Sequence, residues 1–371
     1  MKNKKPTSLG IGLIALDVVS GGSEHVDGDG LYAGGTCGNV MTLLSFFGWK
    51  AQPVGRLDDD AASKLVRDDM KCFGVDLEYL SLQPTAATPV MMQKIIHDKD
   101  QPRHVFTWSC CECGARFPGY QPVTLAAIDH LLEDLETPTV LFCDRASPGA
   151  VRLAEHCVEH GALFVFEAAG IGSPNHFRRM LELAHVLKYS NETQKAVDLL
   201  HSENPDTAIL EIETLGASGL RYRMRTKNDR RWHDRSAFVP PRLSDAAGSG
   251  DWLTAGLVDQ LCRGGVDGLR ATDPAVVREA LDYAQSLSAW NCAFEGARGG
   301  MYGMTPARLA GVAADIREHS SETDLLAKER GGISHGAFCG ECARPVSSKQ
   351  SRRSPLQTRK PAKRKGNAAR P

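Results

Sequence analysis

The stretch Leu243-Ser244-Asp245-Ala246-Ala247-Gly248-Ser249-Gly250-Asp251-Trp252-Leu253-Thr254-Ala255-Gly256 decides the reading of this chain. Gly248, Ser249 and Gly250 lead into a run with helical periodicity. Small residues let a backbone come close to a ligand. The N–H groups at a helix start are open to an anion, and the helix dipole favours one there. Asp251 sets a carboxylate in that first turn. A carboxylate so placed can take a proton from a hydroxyl as it attacks a phosphoryl group. From these residues alone, a flexible turn followed by a capping acid reads equally well.

The segment Asp245-Ala-Ala-Gly-Ser-Gly-Asp251 resembles the Asp-Thr-x-Gly-Ala-Gly-Asp signature of the ribokinase-like (PfkB-type) carbohydrate kinases. The resemblance implies that Gly248, Ser249 and Gly250 form an anion hole for the transferred phosphate and that Asp251 is the catalytic base. Ala246 stands where the family has Thr, and Ser249 where it has Ala. Both changes are small, and backbone donors do not depend on the side chain.

Upstream, residues 207–212 read as a strand, and Thr214-Leu-Gly216-Ala-Ser-Gly219 resembles the family's Thr-x-Gly-x-x-Gly loop. That likeness implies nucleotide contacts from Thr214, Gly216 and Gly219. Asn191-Glu-Thr-Gln194 resembles the Asn-x-x-Glu motif that acts around magnesium and the nucleotide phosphates. Gln194 departs from it, because a neutral amide supplies no charge. Arg221, Arg223, Arg225 and Lys227 fall on one face at strand spacing and are expected to form a solvated edge. Downstream, residues 252–264 and 274–294 have helical periodicity. Asn291 and the turn Gly296-Ala-Arg-Gly-Gly300 resemble the small-residue turn that meets adenine, which assigns Asn291 to the nucleotide.

From residue 139 the chain alternates in a βαβα rhythm. Strands are expected at 140–143, 163–166 and 186–189, with helices at 149–160 and 174–183. This predicts a parallel sheet with helices on both faces. Residues 8–19 form a continuous apolar run, read as one buried strand that carries Asp17 near its end. Ligands bind at such strand ends in open α/β sheets, and family members carry a hydroxyl-binding Asp at this point. Gly34-Gly35-Thr-Cys-Gly-Asn39 feeds a helix over 40–47 that Gly48 stops. It resembles the family's Gly-Gly-x-x-x-Asn motif, which implies that Gly34, Gly35 and Asn39 hold a polyol. Asp59 or Asp60 caps the next helix, to 73. Strands at 89–96 and 104–108, with residues 24–33, form the expected small β lid.

The chain has 371 residues, 24% charged and 42% hydrophobic, which describes an ordinary globular protein. The net charge of −1 hides an asymmetry: residues 344–371 hold ten Lys/Arg and no Asp/Glu. That tail cannot bury a core and is expected to be disordered. A basic tail can bind nucleic acid, or merely solubilise. Lys2, Lys4 and Lys5 before a short apolar run imitate a signal peptide, but no cleavage pattern follows. Eleven cysteines without such a signal argue for a reducing compartment, and the expected location is the cytoplasm. No apolar run approaches the ~18 residues of a membrane span. Cys110 and Cys113 are spaced as a zinc knuckle, and Cys339 and Cys342 repeat that spacing. Together they would make a four-thiolate Zn²⁺ site, or each can be a small hydrophobe.

The expected fold is α/β: a doubly wound, mostly parallel sheet with helices on both faces and a small β lid. A kinase domain over 1–315, an extension over 316–343 and the basic tail over 344–371 make up the chain. The resemblance implies transfer of the ATP γ-phosphoryl group, with Mg²⁺, to a hydroxymethyl group of a sugar or nucleoside, in a homodimer away from membranes. A kinase fold that lost catalysis and serves as a ligand sensor, and a nucleic-acid-associated protein, are the rival readings.

Overall fold

Two sheets organise the chain, whose computed structural model describes residues 5–20, 30–97, 102–201, 208–225, 230–319 and 334–335. The elements run β1 (Thr7–Ile11), β2 (Ala15–Ser20), β3 (Gly30–Gly34), α1 (Thr36–Phe46), β4 (Lys50–Leu57), α2 (Ala61–Cys72), β5 (Leu80–Leu82), β6 (Val90–His97) and β7 (Pro102–Thr107). Then come α3 (Leu125–Leu132), β8 (Val140–Cys143), α4 (Pro148–Glu159), β9 (Leu163–Glu167), α5 (Pro174–Leu183), β10 (Val186–Ser190), α6 (Gln194–His201), β11 (Leu210–Thr214), β12 (Leu220–Met224) and β13 (His233–Arg235). The chain continues through α7 (Ser249–Leu261), α8 (Gly265–Arg270), α9 (Pro274–Asn291), α10 (Pro306–His319) and β14 (Ser334–His335).

The large sheet has nine strands in the order β13-β12-β11-β10-β9-β8-β1-β4-β5. It is parallel from β11 to β5, and β12 and β13 close one side antiparallel. Alternate residues of its central strands feed different cores. Val140, Phe142, Leu163 and Val165 join the cluster of α1, α7 and α9, where Trp252 and Trp290 are fully buried. Leu141, Cys143, Phe164 and Phe166 join the opposite cluster, with Ile128 of α3, Leu153 of α4 and Phe177 of α5. Strands buried on both faces are largely apolar, as β8 is throughout and β9 is up to Glu167. The helix starts carry their own capping signals. Asp60 and Ser63 cap α2 reciprocally, and Ser147 caps α4 ahead of Pro148. Among the described residues no helix is long and apolar enough to cross a membrane.

The apolar run at 8–19 is not one strand. Its first half is β1 in the large sheet. The chain turns at Gly12, and its second half is β2 in a five-stranded sheet of order β14-β3-β2-β6-β7. Both halves are buried, so the apolar pattern runs through the break. Asp17 therefore stands on the small sheet, paired in register with Tyr32, and not on a strand end of the large one. The small sheet includes the expected lid strands; residues 24–29 lie outside the described residues. β14 pairs with β3, which brings residues 334–335 of the extension onto this sheet.

A second expectation changes. β13 pairs with β12, so the basic residues of β12 form no solvated edge. Arg221 pairs with Glu213, and Arg223 and Arg225 pair with the buried Glu211. The Arg221 and Arg223 guanidinium groups also lie 4.7 and 4.6 Å from the Trp232 ring centroid. The face is a half-buried layer of ion pairs, with the acids buried beneath the arginines. Lys227 lies outside the described residues.

Candidate active site

The order of the large sheet reverses between β1 and β8, because the chain winds from β1 to β4 one way and from β8 to β11 the other. Open α/β sheets bind ligands outside the carboxyl ends of their strands at such a switch point. The signature loop comes to this place. α7 starts at Ser249 behind Gly248, which has a left-handed φ of 73°, and no side chain caps the helix. Asp251 is in the first turn, 8% exposed.

Asn39 of α1 donates from Nδ2 to Asp251 Oδ2 at 2.7 Å. Burial, and then the Glu167 carboxylate, push the Asp251 carboxyl up to about 8, while the Asn39 bond and Lys188 oppose the rise. Asp17 lies close by the same glycine motif. A Cβ on Gly34 would fall 1.9 Å from Asp17 Oδ2, so only glycine leaves room for that carboxylate. Burial pushes Asp17 up to about 7, opposed by Arg298 and by the N–H of Gly35. The residues expected to hold a polyol thus meet one another, but Asn39 does so with its amide tied to Asp251.

Asp245, the first residue of the signature, is fully buried and bolts the loop down. Its Oδ1 accepts from Gln93 of β6 and from Ala247 N–H, both at 2.8 Å, and its Oδ2 accepts from Gly296 N–H at 2.9 Å. Asn291 serves the same loop: it donates to the Ala247 carbonyl at 3.0 Å and accepts from Gly300 N–H at 3.0 Å. Its amide fastens the signature to the turn at 299–301.

The other nucleotide candidates gather at two neighbouring strand ends. Ser190 of β10 and Thr214 of β11 are in register, and Asn191 N–H donates to the Thr214 carbonyl at 3.0 Å. Gln194 opens α6 beside them. Gly216 has φ 60° with open space around it, so its backbone can approach a ligand. Gly219 has φ 103°, and a Cβ there would strike the Arg235 carbonyl at 2.1 Å.

Cys110 is buried and Cys113 exposed around a turn that Gly114 closes at φ 75°. Cys339 and Cys342, like residues 344–371, lie outside the described residues. Among the described residues no three His, Cys, Asp or Glu side chains gather closely enough to hold a metal.

Sequence reasoning missed the groups beneath Asp251. Lys188 of β10, 4% exposed, donates to Glu167 Oε1 at 2.6 Å and to the Gly250 carbonyl at 3.0 Å. Thr254 donates to Glu167 Oε2 at 2.7 Å. Asp144, after β8, accepts from Leu13 N–H at 3.0 Å, and burial pushes it up to about 7. Arg298 pairs with Asp69 of α2 and donates to the Ala33 carbonyl at 2.7 Å. A lysine inside an apolar strand was a usable signal, since lysine is seldom buried unpaired.

Strain in the turn sits at Gly248. A Cβ there would come 2.1 Å from the Ala297 carbonyl, whereas at Gly250 the nearest atom is the Lys188 ammonium at 3.3 Å. Gly248→Ala is expected to lose about 1–3 kcal/mol from backbone strain alone, and Gly250→Ala to lose less. Urea unfolding midpoints of the two variants check the order.

No protein-family model and no curated protein matches the chain. Solved structures do. Aminoimidazole riboside kinase from Salmonella enterica, complexed with aminoimidazole riboside and an ATP analogue, is 18% identical with a TM-score of 0.60, over 83% of this chain and 100% of that one. The nucleoside kinase of Burkholderia thailandensis in complex with inosine is 21% identical with a TM-score of 0.61, over 83% and 96%. Arabidopsis thaliana ribokinase, complexed with ribose and ATP, is 15% identical with a TM-score of 0.59, over 85% and 100%. The large, mostly parallel sheet and the smaller sheet beside it give this chain the ribokinase-like fold of these sugar and nucleoside kinases.

Proposed function

We propose that the chain is an ATP-dependent kinase that transfers the γ-phosphoryl group to a hydroxymethyl group of a sugar or nucleoside. The observation that carries this reading is Asp251: a carboxyl pushed up to about 8, on the uncapped first turn of α7 at the sheet's switch point. A base with that proton affinity is matched to taking a proton from an alcohol near neutral pH. The first-turn N–H groups beside it would hold the transferred phosphate. Asp17, Gly34, Gly35 and Asn39 would hold the acceptor. Asn39 would act by aiming Asp251 at the hydroxyl.

The nucleotide would lie over Asn191, Thr214, Gly216 and Gly219, where Gly216 offers an unobstructed backbone. ATP supplies the group transferred. Magnesium fits this chain less well, since the motif residues Asn191 and Gln194 are neutral amides. A magnesium ion commonly keeps several waters and binds through substrate phosphates, so the nucleotide rather than these amides would supply its charged ligands.

Phosphate transfer from labelled ATP to a panel of sugars and nucleosides tests the reading. Transfer to none, with ATP or an acceptor still bound, would favour the sensor that Gln194 suggests. For an accepted substrate, Asp17→Ala is expected to leave one hydroxyl unpaired and weaken acceptor binding by about 1–3 kcal/mol. ATP affinity should stay at the parental value. Calorimetric titration of each ligand separates the two, and equal weakening of both would remove Asp17 from the acceptor site.

A further inference from the structure

Asp251 does not sit alone in the first turn of α7. Below it runs a closed set of bonds from two strands of the large sheet. Lys188 Nζ donates to the carbonyl of Gly250, the residue before Asp251, at 3.0 Å, and to Glu167 Oε1 at 2.6 Å. Thr254 Oγ1 gives its one proton to Glu167 Oε2 at 2.7 Å and lies 3.1 Å from the same Gly250 carbonyl. The Lys188 and Glu167 side chains are 4% and 12% exposed. A buried ion pair is seldom retained for stability, because desolvation offsets most of its attraction. An apolar pair could fill the same space. What an apolar pair cannot do is hold a carbonyl of the catalytic turn and present two opposite charges to the carboxylate beside it.

We propose that Lys188 and Glu167 are positioning residues: with Thr254 they fix the turn that aims Asp251, and together they set the pH at which Asp251 gives up its proton. The inference rests on the reading of Asp251 as the base. The groups facing Asp251 are Asn39 and the Cys37 thiol from α1, Asp144 after β8, Glu167 from β9 and Lys188 from β10. Asn39 is a neutral donor and the thiol stays protonated, burial having raised it well above its ordinary value. Asp144 is held in place by the Leu13 N–H in every variant below, and since Glu167 also raises its carboxyl, a change at Glu167 moves Asp144 in the same direction as Asp251. Glu167 and Lys188 therefore remain as the adjustable pair. The Glu167 charge makes an ionised Asp251 costlier, and the Lys188 charge makes it cheaper.

The signs are opposite, which gives a test that a merely structural role would not pass. Protein labelled with ¹³C at the Asp carboxyl carbons is titrated by NMR, with Asp251→Asn identifying the Asp251 signal by its loss. Lys188→Met is expected to move the Asp251 midpoint to higher pH. Glu167→Gln is expected to move it lower, and the double variant to return it toward the parent. Near-UV circular dichroism reports folding. Should Lys188→Met fail to fold, Glu167→Gln and the double variant, which leaves no unpaired anion, still decide the question. Each pH unit of midpoint shift corresponds to about a tenfold change in the ionised fraction of Asp251 on the acid side. In an active enzyme the acid limb of kcat/KM would move with it, while KM for ATP stays parental. Unmoved midpoints in folded variants would overturn the proposal. The titration needs neither ATP nor acceptor, so a parent protein that transfers no phosphate would sink the kinase reading and leave this measurement standing by itself.

Discussion

Asp251→Asn is expected to fold and to lose about 10²–10⁴-fold in the rate of phosphate transfer, the usual worth of a positioned general base. Asparagine keeps the size of the side chain and can still meet Asn39. It cannot accept the proton of an attacking hydroxyl. Nucleotide affinity should change little, because the backbone donors of the turn remain. In the parent, activity should climb with pH until Asp251 is ionised, near pH 8, and then level off. Stability gives a second signature, of opposite direction. The carboxyl takes its proton at about 8 in the fold, against an ordinary 3.8. Between those values the folded chain binds more protons than the unfolded one, so a rise in pH through this window lowers stability. Asparagine carries no such dependence. Asp251→Asn should therefore gain in thermal stability over the parent as pH rises from 4 toward 8, while it loses turnover. The checks are transfer of labelled phosphate and melting curves across that range. A folded Asp251→Asn protein with parental turnover would remove Asp251 as the base.

Arg298→Met is expected to lose about 3–5 kcal/mol of stability, the cost of stripping one partner from a buried ion pair. The Arg298 and Asp69 side chains are 1% and 4% exposed. Without the guanidinium, Asp69 keeps the Tyr302 hydroxyl, at 2.9 Å, but no opposite charge from Arg298, and the Ala33 carbonyl loses the Arg298 donor. A urea unfolding midpoint well below the parent's is the expected result. Arg298→Met combined with Asp69→Leu should recover much of the loss, since no buried charge is then left unpaired. A milder effect of the single variant than of the double would contradict this account. Arg298 also favours the ionised form of Asp17. In Arg298→Met, Asp17 should hold its proton to a pH above 7, and any acceptor binding that needs the carboxylate should shift the same way.

Much of the scaffold follows from local patterns. The strand Val140–Cys143 and the helix Pro174–Leu183 lie where the βαβα rhythm puts them. The alternation of strand and helix from residue 139 onward predicts a parallel sheet covered on both faces, and the two separate cores are its physical consequence. Around the signature, the sequence marks a glycine turn, a helix and an acid in the first turn. These features are legible because turn chemistry, capping and burial act over a few residues.

Other features depend on which segments meet. The run at 8–19 is apolar throughout because both of its halves are buried, and apolarity carries no record of which sheet buries them. Arg221, Arg223 and Arg225 alternate as a solvated strand would, yet they face acids on β11 that only sheet pairing brings opposite. Lys188 and Glu167 are 21 residues apart, and Arg298 and Asp69 are 229 apart. No local pattern joins such partners. By itself the sequence determined the alternation of strand and helix from residue 139 onward, the glycine turn and the presence of an acid at a helix start. Only the tertiary structure decided what surrounds that acid, because the proton affinity of a carboxylate depends on the charges and the burial that distant segments bring to it.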